Sequence, residues 1–185
     1  MRSKHFPSKE PQSENKLHDE LLANQLSCSE KDRAEHLMIV DLMRNDLGKI
    51  CQYGSVKVED LFKIHSFPTV HHMISRVYGE LRQNTTEMDI FRATFPGGSI
   101  TGAPKESAMK IIDELEEYSR GIYTGSLGYI TSGGDMDFNI AIRTMTVRNG
   151  KGIYPVGGGI VWDSDPEKEW DEAIQKSKIL SMNQE

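Results

Sequence analysis

Several stretches of this chain carry residue types that bind anions, hold cations or move protons. Phe95–Lys105 reads F-P-G-G-S-I-T-G-A-P-K, with three glycines, two prolines and two small hydroxyl residues directly before a helical run. Glycine lets backbone approach a ligand closely, Pro104 suits a first helical turn, and helix N-termini favour anions. The stretch therefore reads as a loop holding a small anionic ligand, with a tight glycine-rich connection as the alternative on composition alone. Gly157-Gly158-Gly159 is a second anion candidate. Three glycines weaken a strand unless backbone must come close to something, and their N–H groups can form a nest for a carboxylate. Asp32 and Glu35 lie three apart on one helical face, ordinarily a solvated acidic pair. Glu169, Glu172 and Lys176 share a face at i, i+3 and i+7, with an ion pair to Glu172 as the plain reading of Lys176. Arg143 falls on one strand face with Asn139 and Ala141. A buried arginine needs an anionic partner, and a ligand carboxylate can supply one; a surface or ion-paired strand residue is the alternative. His71 and His72 are adjacent, so on regular structure they point apart, which argues against a two-histidine metal site.

The elements that must position these groups follow from periodicity and punctuation. Residues 14–27 read as a helix through Leu17, Leu21, Leu22 and Leu26. Ser29 caps a second helix that Gly48 ends, with Leu37, Val40, Met43 and Leu47 as its buried stripe. Ser55–Val58 and Leu61–Ser66 read as strands. Thr85–Phe95 is a short helix or loop, and Lys105–Tyr118 a helix with Ala108, Ile111, Ile112 and Leu115 on one side. Tyr123–Thr131 and Met136–Val147 form a strand pair about the turn Ser132–Asp135. Asn149-Gly150 is a two-residue hairpin turn leading into a strand over Gly152–Val156. Asp163 or Ser164 caps a last helix with Pro166 in its first turn and Trp170, Ala173, Ile174 and Ser177 packed inward.

With 185 residues, 37% hydrophobic and 27% charged, the chain fits a globular protein with one sizeable core. A net charge of −6 argues against nucleic acid or an anionic membrane surface as partner, while leaving room for a local basic site. Cys28 and Cys51 are too few for a disulfide framework and read as reduced thiols. No apolar run approaches the roughly 18 residues needed to span a bilayer, and the start is not signal-like. These features give the expectation of a cytoplasmic protein. Residues 1–15 are polar and read as a poorly anchored segment ahead of a domain over 16–185.

Taken together, F-P-G-G-S-I-T-G-A-P-K resembles the signature of the chorismate-utilising enzymes, which include anthranilate, aminodeoxychorismate, isochorismate and salicylate synthases. Three further stretches agree in order and spacing: Lys31–Asp46, Gly54–His72 and Val156–Glu172. The resemblance runs from about Ser29 to Leu180. The P-G-G-S-I-T-G-A-P-K wording is nearer to aminodeoxychorismate synthase component I than to anthranilate synthase component I. A lysine-containing proline–isoleucine–lysine–glycine–threonine segment of the family has no counterpart here, and neither Lys4 nor Lys9 stands in that motif. The expectation is the C-terminal portion of a longer enzyme.

The resemblance implies an α+β fold of antiparallel sheets flanked by helices. It implies magnesium, with Glu35 and Glu172 as carboxylate ligands, and with Asp32 and Glu169 either supporting those carboxylates from behind or reaching the metal through water. His72 would sit beside the substrate ring as a hydrogen-bond or proton-transfer group, and Lys176 near the attacking water or nucleophile. Ser99, Ile100 and Thr101 would line the ring. Arg143, Tyr123 and the Gly157 and Gly158 backbone would receive the enolpyruvyl carboxylate. The implied reaction is amination of chorismate to 4-amino-4-deoxychorismate in the folate branch, with ammonia from a separate glutamine amidotransferase. The alternatives are anthranilate formation, or a non-catalytic fragment whose missing strand layer would leave apolar sheet exposed and favour self-association.

Overall fold

The computed structural model describes residues 2–5, 9–11, 16–67 and 70–178. The chain gathers into two compact units, 1–109 and 110–185, divided inside the helix after the glycine stretch.

Unit 1 is organised on β4 (Val70–Tyr78). β3 (Lys57–Phe67) pairs with it antiparallel on one side, and β1 (Arg2–His5) and β2 (Lys9–Pro11) on the other. Of the opening segment read as poorly anchored, residues 2–5 and 9–11 take part in this sheet, and the rest of 1–15 lies outside the described residues. Ladder pairing needs only backbone N–H and C=O groups, so polar side chains do not forbid it. β3 is one strand where the sequence suggested two. The polar residues that appeared to divide it sit in a bulge between Glu59 and Lys63, where Asp60 and Phe62 take φ of 54° and 61°.

β4 itself gives a weak strand signal, because histidine, serine and arginine interrupt its apolar residues. Paired on both sides, it nevertheless buries Met73 and Val77 completely. On the same face by strand alternation, His71 and Ser75 bond to α1 (Lys16–Cys28) and α2 (Glu30–Gly48). As expected, Ser29 caps α2, its hydroxyl accepting from the Asp32 N–H; such a cap contributes about 1 kcal/mol. The helix runs through Gly48 to a right-handed Lys49, so the glycine does not end it. Its buried stripe is His36, Ile39, Val40, Asp46 and Leu47, and Leu37 is exposed. A hydrophobic pattern slides past that face because two of its members are polar. α3 (Glu87–Thr94) starts at a reciprocal capping box between Thr86 and Asp89, α4 (Gly98–Thr101) is a single turn, and α5 (Lys105–Leu115) stops before Tyr118.

Unit 2 holds two hairpins and a helix. β5 (Ser126–Ile130) pairs with β6 (Met136–Ile140), and β7 (Thr146–Arg148) with β8 (Lys151–Ile153). Asn149 and Gly150 take φ of 52° and 73°, as a two-residue hairpin turn requires. The strand expected through Val147 breaks after Ile140. The Ile142 N–H turns back to Ile140 O, and Arg143 takes φ of 51°, which no strand continues. α6 (Pro166–Ser177) is capped by Asp165, whose carboxylate accepts from Glu167 and Lys168, rather than by Asp163 or Ser164. Trp170 and Ile174, expected inside, are exposed. Among the described residues of unit 2, Ala141 is the one fully buried apolar side chain. The chain as a whole has the α+β class expected of it.

Candidate functional site

Unit 2 brings Tyr123, Gly157, Gly158, Glu169, Glu172 and Lys176 together. A Cβ on Gly157 would lie 2.9 Å from the Tyr123 hydroxyl, and one on Gly158 would lie 3.1 Å from Glu169 Oε2. Bare backbone is therefore needed for polar side chains to come this near. Lys176 Nζ donates to Gly157 O at 2.9 Å and pairs with Glu172 Oε1 at 2.5 Å. The structural ion pair that was one reading of Lys176 is thus present, and the same ammonium also holds the glycine run. Glu169 Oε1 accepts from the Ser164 hydroxyl at 2.7 Å, which in turn accepts from the Val161 N–H at 3.0 Å. That serine, expected as a possible helix cap, instead orients a carboxylate.

Burial pushes the Tyr123 phenol up, and the nearby Arg120 guanidinium opposes this. The group stays protonated at neutral pH and can donate. Arg120 is held by Glu116 through two bonds, at 2.7 and 2.5 Å, with its guanidinium carbon 5.7 Å from the Tyr123 ring centre. The cluster therefore presents a phenol, an ammonium and two carboxylates around exposed backbone. Arg143 is not a buried strand arginine: it stands exposed in the bend after β6.

Unit 1 places the other candidates. Asp32 and Glu35 share a partly exposed face of α2, with Lys31 Nζ 3.9 Å from Glu35. Ser99, Ile100 and Thr101 form the half-buried turn of α4, closed by Thr101 Oγ1 donating to Gly97 O at 3.1 Å. Gly98 is glycine for packing, because a Cβ there would overlap the Leu42 side chain of α2. His72 is buried, meets Phe67 edge-on at 5.5 Å between ring centres, and has its pKa lowered by burial, so its imidazole is neutral at pH 7. His71 faces the other way, with Nδ1 at 2.8 Å from Ser66 Oγ and Nε2 at 2.9 Å from Asp19 Oδ1.

Three residues went unnoticed as candidates. His36 is fully buried, with Nε2 2.6 Å from Ser75 Oγ, and burial alone lowers its pKa to about 4. Asp46, also buried, accepts from Lys49 at 2.9 Å and from Lys105 at 2.5 Å. All three lie in motifs the sequence had flagged, His36 beside Glu35 and Lys105 at the end of the glycine stretch. Their burial depends on partners distant in sequence, Ser75 for His36 and Lys105 for Asp46, which local spacing does not reveal.

Among the described residues, no three histidine, cysteine or carboxylate side chains converge as a metal cage. The acidic pairs on α2 and α6 are hard oxygen donors on partly open faces, which suits a cation that keeps several waters and takes one or two protein carboxylates. No helix among the described residues is long and apolar enough to cross a membrane.

A family model described as chorismate binding enzyme matches residues 10–182. Over 162 residues, 88% of this chain, the sequence is 51% identical to anthranilate synthase component 1 of Aquifex aeolicus, of which it covers 33%. Over 165 residues, 89% of this chain, it is also 51% identical to aminodeoxychorismate synthase component 1 of Escherichia coli, of which it covers 36%. The crystal structure of anthranilate synthase component I from Streptococcus pneumoniae superposes with a TM-score of 0.86 at 41% identity, over 96% of this chain and 39% of that one. The chain thus spans about a third of the length of the curated relatives it matches.

Proposed function

The chain belongs to the chorismate-binding enzyme family, and from this we propose that it takes part in the amination of chorismate at the 4-position, as an aminodeoxychorismate synthase component I-like protein. The observation that carries the reading is the unit 2 cluster, where Lys176, Glu172, Glu169 and Tyr123 gather about the Gly157–Gly158 backbone. Its donors, a protonated phenol, an ammonium and backbone N–H groups, are those a carboxylate ligand needs. In this reading Tyr123, the Gly157 and Gly158 backbone, and Arg143 from its exposed bend receive the enolpyruvyl carboxylate. Ser99, Ile100 and Thr101 line the ring, and His72, neutral and buried, exchanges a proton or hydrogen bond with it. Lys176 orients the incoming nucleophile. Asp32 and Glu35 on α2, and Glu169 and Glu172 on α6, are the carboxylates each unit offers to magnesium. When bound, that cation would neutralise the ring carboxylate and draw electron density as the hydroxyl leaves. Ammonia would come from a glutamine amidotransferase partner.

Equal identity to the Aquifex protein supports a second reading, amination at the 2-position with anthranilate and pyruvate as products. Incubating the protein with chorismate, magnesium and ammonium, and separating products by chromatography, decides between them. Aminodeoxychorismate is the expected product, and anthranilate with pyruvate would move the protein to the second reading. Unchanged chorismate with a folded protein would leave a chain that binds without chemistry.

A further inference from the structure

Lys105 ends the glycine stretch and begins α5; Asp46 lies in the last turn of α2, 59 residues earlier. The Lys105 ammonium donates to Asp46 Oδ2 at 2.5 Å, and the two side chains keep only 14% and 7% of their surface. The other carboxylate oxygen accepts from Lys49, which is mostly exposed and only three residues along the same chain segment. The desolvation cost of a buried ion pair offsets much of its attraction, so its contribution is more to defined geometry than to net stability. One turn before Asp46 on α2 is Leu42, against which Gly98 packs without room for a Cβ. The segment from Gly98 to Lys105 is therefore tied to α2 at both ends, by an apolar contact and by a buried ion pair. Ser99, Ile100 and Thr101 lie between the ties.

The geometry points to Asp46 and Lys105 as positioning residues, whose ion pair holds the Ser99–Thr101 turn in place on α2 for chorismate. The inference rests on the chorismate reading of that turn. It also explains why a lysine closes the glycine stretch: its charge is spent on Asp46 and is not open to a ligand.

The test uses the full chain with Lys105→Met, Asp46→Asn, the double variant, and Lys49→Met as control. Hydrogen exchange is followed at residues 97–104 and along β4, and chorismate affinity is measured by calorimetry with magnesium. Lys105→Met and Asp46→Asn should each speed exchange at 97–104 by on the order of tenfold or more, with β4 unchanged. The double variant should be no worse than either single one. Lys49→Met removes an equal charge from the same carboxylate without untying the turn, and should leave 97–104 as in the wild type. Chorismate affinity should fall about tenfold in Lys105→Met and hold in Lys49→Met. If Lys105→Met fails to fold because the buried Asp46 charge keeps only Lys49 as partner, the double variant gives the same reading with that charge removed. Unchanged exchange at 97–104, or equal acceleration along β4, would overturn the positioning role. A wild-type chain that binds no chorismate would sink the functional reading instead, while the exchange data still decide whether the pair holds the turn.

Discussion

The two units of this chain are built on opposite principles. Unit 1 has a core in the ordinary sense: Leu26, Val40, Leu47, Met73 and Val77 are buried between helices and a four-stranded sheet. In unit 2 the sheets have two strands each, and Ile160, Trp162 and Trp170 are largely exposed. A lone two-stranded hairpin is marginal in water, and burial on a third strand or a helix is what ordinarily stabilises it. Unit 2 nevertheless carries the cluster of Tyr123, Glu169, Glu172 and Lys176 about the Gly157–Gly158 backbone. Within this chain, that polar cluster stands on the unit with the smaller buried core.

The largest effect that would sharpen this contrast is a cavity in unit 1. Met73 is fully buried on the central strand, so Met73→Ala should cost about 2–5 kcal/mol, read as a lowered urea midpoint with an unchanged slope. A cost below about 1 kcal/mol would mean that β4 is not the centre of a packed core.

Next in size is a pH effect confined to unit 1. His36 has a folded-state pKa near 4, because burial disfavours its cation. Its ordinary value of 6.5 applies in the unfolded chain, which therefore takes up the proton first as the pH falls. The contribution is complete above pH 6.5 and is lost between 6.5 and about 4, up to about 3 kcal/mol in all. Carboxylates titrate in part of the same window, so the measurement is a difference. Urea midpoints at pH 7 and pH 4.5 should diverge more for the wild type than for His36→Gln. Equal divergence would show that His36 does not remain neutral within the fold.

How far these contrasts could be read in the sequence differs between elements. The cap at Ser29, the turn at Asn149-Gly150 and the helix after Lys105 were legible because each depends on a few neighbouring residues. β4 was not, since its polar residues are tolerated only through partners distant in sequence: Asp19 for His71 and His36 for Ser75. The break at Arg143 was missed for the same kind of reason. Nothing in A-I-R-T-M announces a left-handed residue, and the turn is held by the Ile142 and Ile140 backbone. Within the candidate site, the shared face of Glu169, Glu172 and Lys176 followed from helical spacing. The approach of Tyr123 and of the glycine run to that face required the fold.

A smaller effect probes the unit 2 cluster. Lys176→Met leaves Glu172 without its 2.5 Å partner and Gly157 O without its donor, on a surface where ion pairs contribute little stability. Chorismate affinity should fall about tenfold, while the thermal midpoint should move by no more than about 2 °C. A large drop in the midpoint with unchanged affinity would make Lys176 a structural residue only.

The smallest expected effect is the most direct test of the contrast itself. Both tryptophans of the chain, Trp162 and Trp170, lie in unit 2, with 99% and 68% of their surface exposed. Trp162→Ala should therefore change stability by no more than about 0.5 kcal/mol, although truncating a buried tryptophan costs about 3–5 kcal/mol. The same placement makes intrinsic fluorescence a reporter of unit 2 alone, since unit 1 contains no tryptophan. Emission at the wavelength of tryptophan in water, with ready quenching by iodide, is the expected result at low protein concentration. Blue-shifted, protected emission would mean that these rings are covered in solution, and Trp162→Ala would then cost several times more. A protection that disappears on dilution would identify the cover as another copy of the chain, because only association depends on concentration. Unit 2 would then owe its stability to a partner surface, and the contrast with the self-sufficient core of unit 1 would be the reason.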